Sequence, residues 1–381
     1  MMTKSIYLSC FIVIIVTSGI NQCYPQETDY DKYGGFKKIS REAAGYFTLG
    51  KFNEKHFLFT PEGNAYIAIG LNHFHTTKNT DYDAMISDLK SWGFNAGCYQ
   101  GPRWMWNRFP YTKGINLLEI RSYVSEDKFG FQDVFSDGFL IDLEKRIKSI
   151  VQPQAENKML IGYFLTDMPV WTKEKYGQTW ISFFKTLDTN SPGGKTWKAW
   201  KAFNTDTDEQ EFLGIIAHQL YSKGTALIKK YDPNHLIFSE RFNESDLSDI
   251  VVGEALPFVD AIATQPAPKL NMAYFEKLYK NYKKPIYIAD HVSSFAHHKH
   301  KKTMGQVAHN EASYFEFYEN YVSSVLALPY IIGYKKCQYE NEPRPGLLKQ
   351  GLVNQSGKPY DYVSKLNEVH SKALLNAYKT N

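Results

Sequence analysis

What most constrains this chain is a rhythm: short runs suited to buried strands alternate with amphipathic helical stretches from residue 65 to residue 377. The strand-type runs lie at 65–71 (AYIAIGL), 95–99, 115–120, 159–165 (MLIGYFL), 236–239, 261–264, 285–289 and 331–335. Continuous apolar runs of this kind suit strands covered on both faces, as in parallel sheets. Residues 82–92, 137–151, 212–231, 272–282, 311–326 and 360–377 place apolar side chains at helical spacing. Gly93 stops the first of these and Asp232-Pro233 the third, because proline cannot continue a helix. The repeated βα order predicts a parallel sheet, and eight such units predict a closed (β/α)8 TIM barrel of a single domain. A doubly wound open sheet is the alternative. It asks for a glycine-rich phosphate loop after the first strand, where this chain has Gly70-Leu71-Asn72-His73.

The N-terminus has a different character. Lys4 precedes an apolar run at 6–16, and Thr17, Ser18 and Gly19 follow, which is the layout of a secretory signal. The run is shorter than the roughly 20 apolar residues a spanning helix needs. We therefore divide the chain into a signal peptide at 1–23, a lead-in at 24–44 and the barrel at 45–381. The expected product is secreted or periplasmic, with no membrane span once the signal is removed. Cys10 leaves with the signal, and Cys23, Cys98 and Cys337 show neither a disulfide framework nor zinc spacing. No metal or other cofactor is expected. The sequons at Asn243 and Asn354 matter only in a eukaryotic host.

Composition narrows the function. With 43% hydrophobic residues the chain can bury a large core, which excludes a disordered tail protein. Lys plus Arg is 44 against 40 for Asp plus Glu, a net +4, and nucleic-acid binding normally needs a stronger basic excess. In parallel barrels the chemistry sits where strands end. The strand ends here offer Asn72, His73 and His75; Tyr99 and Gln100; Thr166 and Asp167; Glu240 and Arg241; Gln265; Asp290 and His291; and Gln338, Tyr339 and Glu340. Carboxylates, amides, an arginine and aromatics at one mouth suit a poly- or oligosaccharide.

Several stretches resemble the agarase-type glycoside hydrolases within the clan of retaining barrel enzymes. They are 57–73 (FLFTPEGNAYIAIGLNH), 88–97 (DLKSWGFNAG), 129–139 (FGFQDVFSDGF), 159–171 (MLIGYFLTDMPVW), 227–242 (LIKKYDPNHLIFSERF), 284–291 (KPIYIADH) and 333–360 (GYKKCQYENEPRPGLLKQGLVNQSGKPY). The resemblance implies a hydrolase of O-glycosidic bonds in an algal galactan of the agar or porphyran type. It also marks departures. The general acid/base Glu expected after the fourth strand is replaced by Met168, beside Asp167. The nucleophile position holds Asp290, one methylene shorter than Glu, and a Trp platform position holds Lys336.

Glycoside hydrolysis needs two carboxyl groups, one donating a proton and one attacking carbon or activating water. Asp167 is the candidate donor and Asp290 the second group, and two shortened side chains widen the gap toward a water-mediated, inverting outcome. Asp167 reads equally as a helix cap. Glu240 is the substitute acid, or else the ion-pair partner of Arg241. His291 is positioned to tune Asp290, and Asn72, His73, His75, Gln100, Arg241, Gln265, Lys336, Gln338 and Tyr339 are candidate sugar contacts. Trp104, Trp106 and Trp171 are candidate stacking platforms, whereas Trp197 and Trp200 suit a helix anchor. The basic run at 297–302 reads as a solvated loop or, with Lys336 and Arg344, as a contact for a sulfated polysaccharide. A catalytically silent carbohydrate-binding barrel and a histidine–metal chemistry are the other readings.

Overall fold

The computed structural model describes residues 27–74, 80–118, 131–167, 169–174 and 177–379. The expected signal peptide, His75 and Met168 lie outside these residues. No helix among the described residues is long and apolar enough to cross a membrane.

Strands β1 (Phe36–Ser40), β2 (Thr48–Phe52), β3 (Lys55–Phe59) and β4 (Asn64–Tyr66) form an antiparallel sheet in the order β1-β4-β3-β2. Asp31 braces its entry, accepting from the backbone N–H groups of Tyr33 and Gly35 at 2.9 and 2.8 Å and from Asn64 Nδ2 at 2.8 Å. Tyr33, Phe47 and Leu58 pack against Ala68, Ile161, Leu236, Ala261 and Ile332, which lie at or near the starts of the parallel strands. This small sheet therefore covers the N-terminal end of the larger one.

The larger sheet is parallel. Its strands are β5 (Ala68–Asn72), β6 (Tyr111–Gly114), β7 (Leu160–Phe164), β8 (Leu236–Asn243), β9 (Ala261–Gln265) and β10 (Ile286–Val292). A short pair, β11 (Ser294–Phe295) and β12 (Gln306–Ala308), precedes the last parallel strand, β13 (Ile331–Cys337), and a hairpin of β14 (Glu342–Arg344) and β15 (Leu347–Lys349) follows it. The seven parallel strands run in the order β5-β13-β10-β9-β8-β7-β6. Helices α1 (Tyr82–Ser91), α2 (Asp137–Val151), α3 (Trp180–Thr186), α4 (Pro192–Phe203), α5 (Phe212–Tyr231), α6 (Asp249–Ala255), α7 (Met272–Tyr282), α8 (Glu311–Ala327) and α9 (Leu366–Tyr378) complete the α/β alternation. Asp81, Ser136, Asn271 and Asn310 start four of them by accepting first-turn N–H groups.

Two expected strands differ from expectation. Residues 115–118, the described part of the run at 115–120, form no strand; β6 takes that place, starting four residues earlier. Its polar residues hid it, because Thr112 is buried and bonded inside the sheet. The run at 95–99 makes a single bridge, Ala96 to Gly70, rather than a strand. The Asn95 side chain replaces the ladder there, accepting from Ile69 N–H at 2.7 Å and donating to Ile67 C=O at 2.9 Å. Residues 95–101 nonetheless bond to both edges of the sheet. Asn95 and Ala96 donate to Ile69 C=O at 3.0 and 3.1 Å, Gly97 donates to Pro110 C=O at 2.7 Å, and Gly114 donates to Tyr99 C=O at 2.6 Å.

Within the sheet, Phe164, Phe238 and Tyr287 meet ring to ring at 5.0–5.4 Å. The Lys335 amine lies 5.4 and 5.7 Å from the Phe164 and Tyr287 rings and is hydrogen-bonded to Thr112. Gly333 makes the room: a Cβ there would stand 2.7 Å from the Tyr287 ring. Burial lowers the Lys335 amine to about 7. Between about pH 7 and the ordinary lysine value near 10.4, the unfolded chain holds this proton while the folded one does not. Stability therefore rises with pH across that window. Lys335→Met should flatten the rise, measured by urea unfolding at the two ends of the window.

Candidate active site

Successive side chains on a strand point to opposite faces, so Glu240 and Arg241 cannot share the mouth, nor can Asp290 and His291. Two bulges decide which of each pair enters. On β8, three residues from Phe238 to Arg241 are spanned by two on β9, from Ala261 to Ala263. On β10, three residues from Ile288 to His291 are spanned by two on β13, from Tyr334 to Lys336. The extra residue in each case reverses the alternation. Arg241 and Asp290 turn inward, and Glu240 and His291 turn out to the helices.

The inward pair builds the site. Arg241 is 1% exposed and its guanidinium lies 3.6 Å from the centre of the Tyr99 ring. Its Nη2 is 2.5 Å from Asp167 Oδ1 and its Nη1 is 3.9 Å from Asp290 Oδ2, so one cation stands between two carboxylates. Gln265 Nε2 donates to the same Asp167 oxygen at 2.8 Å. Asn72 Nδ2 donates to Asp290 Oδ1 at 2.9 Å and to Ala289 C=O at 2.8 Å. His73 Nε2 is 3.5 Å from Asp290 Oδ2, and its Nδ1 meets Gln100 Nε2 at 3.1 Å. His73 also has a left-handed backbone, φ 52°, a conformation costly for a non-glycine residue.

Burial by itself would raise the Asp290 carboxyl. The hydrogen bond and charge of His73 and the charges of Arg241 and Lys349 outweigh it and hold the group well below the usual carboxylate range. Asp290 is thus an ionised group, suited to act as nucleophile or base.

Asn72, His73, Gln100, Asp167, Arg241, Gln265 and Asp290 therefore come together. Other sequence candidates do not. Glu240 is fully buried beneath the helices, accepting from Trp171 Nε1 at 2.8 Å and Tyr221 OH at 2.5 Å. Burial raises its carboxyl against those hydrogen bonds. Trp171 is 1% exposed and stacked on Trp180 at 5.5 Å, so its face is covered rather than offered to a ligand. His291 bonds to Tyr334 OH and Pro268 C=O, both at 2.9 Å, and stacks on Tyr321, with burial lowering its pKa to about 3. Lys336 also faces outward, 3.2 Å from Ser293 C=O and 5.3 Å from the Tyr314 ring, which removes it from any sulfate contact at the mouth. Gln338 is buried and donates to Glu340 C=O at 2.6 Å.

Aromatics border the site. Phe74 lies 5.6 Å from Trp104 and 5.2 Å from Tyr339, and Tyr82 stacks on Trp104 at 5.0 Å. Trp106, half-buried, donates to Gly101 C=O at 3.1 Å. Trp197 and Trp200 pack on Phe212 at 5.0 and 5.3 Å, anchoring α4 to α5. The run at 297–302 sits between β11 and β12, and Arg344 is paired with Glu342 at 3.1 Å. Sequence reasoning placed Tyr99 at a strand end of the mouth and gave no role there to Lys335 or Cys337. The available signal was the pair of lysines inside an otherwise buried strand, IIGYKKC.

No family model and no curated protein matches this chain. Solved structures do match. An exo-β-agarase has a TM-score of 0.79 at 16% identity, covering 92% of this chain and 68% of that one. An agarase has a TM-score of 0.77 at 17% identity, with 92% and 67% covered. A galacturonate-bound β-galacturonidase from Eisenbergiella tayi gives 0.52 at 12% identity, with 86% and 54% covered. These likenesses establish the fold.

Removing the shared cation takes from Asp167 and Asp290 the one charge partner they have in common. Arg241→Met should destabilise the protein by about 3 kcal/mol, the scale of breaking a buried ion pair from one side, as read by chemical denaturation at neutral pH.

Proposed function

We propose that this chain is an exported glycoside hydrolase of the agarase type, cleaving O-glycosidic bonds in an agar-type galactan. The reading takes residues 45–381 as one closed (β/α)8 barrel behind a signal at 1–23 and a lead-in at 24–44. The hydrogen bonds of residues 95–101 to both β5 and β6 support that closure. The observation that carries the activity is Asp290, an ionised carboxylate at the C-terminal mouth of a fold shared with agarases.

In this reading Asn72 fixes one Asp290 oxygen, and the other faces the substrate as nucleophile or as the base for water. Asp167 is the proton donor, steered by Gln265 and Arg241. Phe74, Trp104 and Tyr339, packed on one another and only partly buried, offer their exposed ring edges to a sugar. A second reading, a barrel that binds the glycan without cleaving it, is favoured by one observation: Asp167 is engaged by Arg241 at 2.5 Å, beside a methionine where the resemblance expects the acid.

Product release from agar, porphyran and other algal and plant polysaccharides separates the two. The hydrolase reading expects turnover that falls by about 10²–10⁴-fold in Asp290→Asn, the usual contribution of a general base. The first anomer formed, read by proton NMR, assigns Asp290 as nucleophile if configuration is retained and as base if it is inverted. Binding without products, unaffected by Asp290→Asn, would move the assignment to the silent barrel.

A further inference from the structure

We propose that His73, Asp290 and Cys337 form a binding site for a thiophilic divalent cation of the zinc type at the floor of the mouth. An imidazole nitrogen, a carboxylate oxygen and a thiol sulfur lie within 4.8 Å of one another there. No other set of three His, Cys, Asp or Glu donors among the described residues meets that spacing. The three come from adjoining strand ends. Cys337 is the register partner of Asn72, next to His73, and of Val292, two residues beyond Asp290.

The geometry suits a tetrahedral ion. Zinc holds such ligands at about 2.0–2.3 Å, which spaces the donor atoms by roughly 3.3–3.8 Å. His73 Nε2 and Asp290 Oδ2 already stand 3.5 Å apart, and the widest pair needs to close by about 1 Å. The donor set mixes soft sulfur, nitrogen and oxygen, which favours zinc over calcium or magnesium. Three protein donors leave the fourth tetrahedral position for water.

The atoms behind the ligands are arranged as metal sites require. Asn72 holds the far oxygen of Asp290 at 2.9 Å, and Gln100 holds the far nitrogen of His73 at 3.1 Å. Gln100 Oε1 is buried without a hydrogen-bond partner. A half-turn of that amide lets Oε1 accept from Nδ1–H, the tautomer that frees Nε2 for a cation. The left-handed backbone of His73 is likewise strain held where ring orientation matters. Two cations already bear on the ligands: Arg241, closer to Asp167 than to Asp290, and Lys349, which acts on both Asp290 and Cys337 and must swing away from the sulfur as the ion enters. Binding exchanges the Cys337 thiol proton for the ion, so a thiolate and a carboxylate balance its two charges.

This inference does not rest on the hydrolytic reading. An ion held there takes the Asp290 oxygen that hydrolysis needs, so the loaded site is an inhibited state of the proposed enzyme. The test is titration of the full chain with Co²⁺ and then Zn²⁺, followed by absorption spectroscopy and metal analysis, with no turnover involved. We expect one ion per chain, a thiolate-to-cobalt charge-transfer band, and displacement by Zn²⁺. Cys337→Ser and His73→Ala, each checked for folding by thermal melting, should each weaken binding by about 100-fold or more. A cobalt spectrum lacking the thiolate band overturns the proposal. So does binding that survives both substitutions and vanishes when His297, His298 and His300 are replaced by alanine.

Discussion

A buried guanidinium between two carboxylates organises the mouth of this molecule. Arg241 has almost no access to water, so its charge must be met by protein, and Asp167, Asp290 and the face of Tyr99 meet it. Each partner is in turn fixed by a neighbour on another strand: Asp167 by Gln265, Asp290 by Asn72, and Tyr99 by residues 95–101 bonding across both sheet edges. The ion network thus ties together elements far apart in sequence. It also keeps Asp290 ionised, as a nucleophile requires.

A second polar layer lies outside the sheet and is independent of the first. Glu240, His291, Lys336 and Gln338 are all buried, and each finds its partner on the helix side or in the following loop. Buried polar groups require such satisfaction. These residues look functional in a sequence because they are polar at strand ends, yet their hydrogen bonds go to packing.

That explains how far the sequence could be read. The parallel α/β rhythm was legible because six of the eight expected runs, from 65–71 to 331–335, are apolar enough to announce a strand buried on both faces. The strand at Tyr111–Gly114 was not, because Thr112 is polar and bonded to a lysine contributed by β13. Asp290, Asp167, Asn72, His73, Gln100, Arg241 and Gln265 were legible as strand ends. Their division from Glu240 and His291 was not, since it depends on a single extra residue in each of two strands, which no composition or periodicity records. Cys337 was passed over because its partners, His73 and Asp290, lie hundreds or tens of positions away and meet it only through strand order.

The two bulges carry one more implication. The same stretch of β8 could present either Glu240 or Arg241, and the same stretch of β10 either Asp290 or His291, depending only on whether the ladder runs regularly. Tyr221 and Trp171 hold Glu240 out, and Tyr334 with the Pro268 carbonyl holds His291 out. Residues that never face the mouth therefore select its contents. In this molecule the identity of the reactive groups is written partly in the outer shell, where the partners of Glu240 and His291 sit.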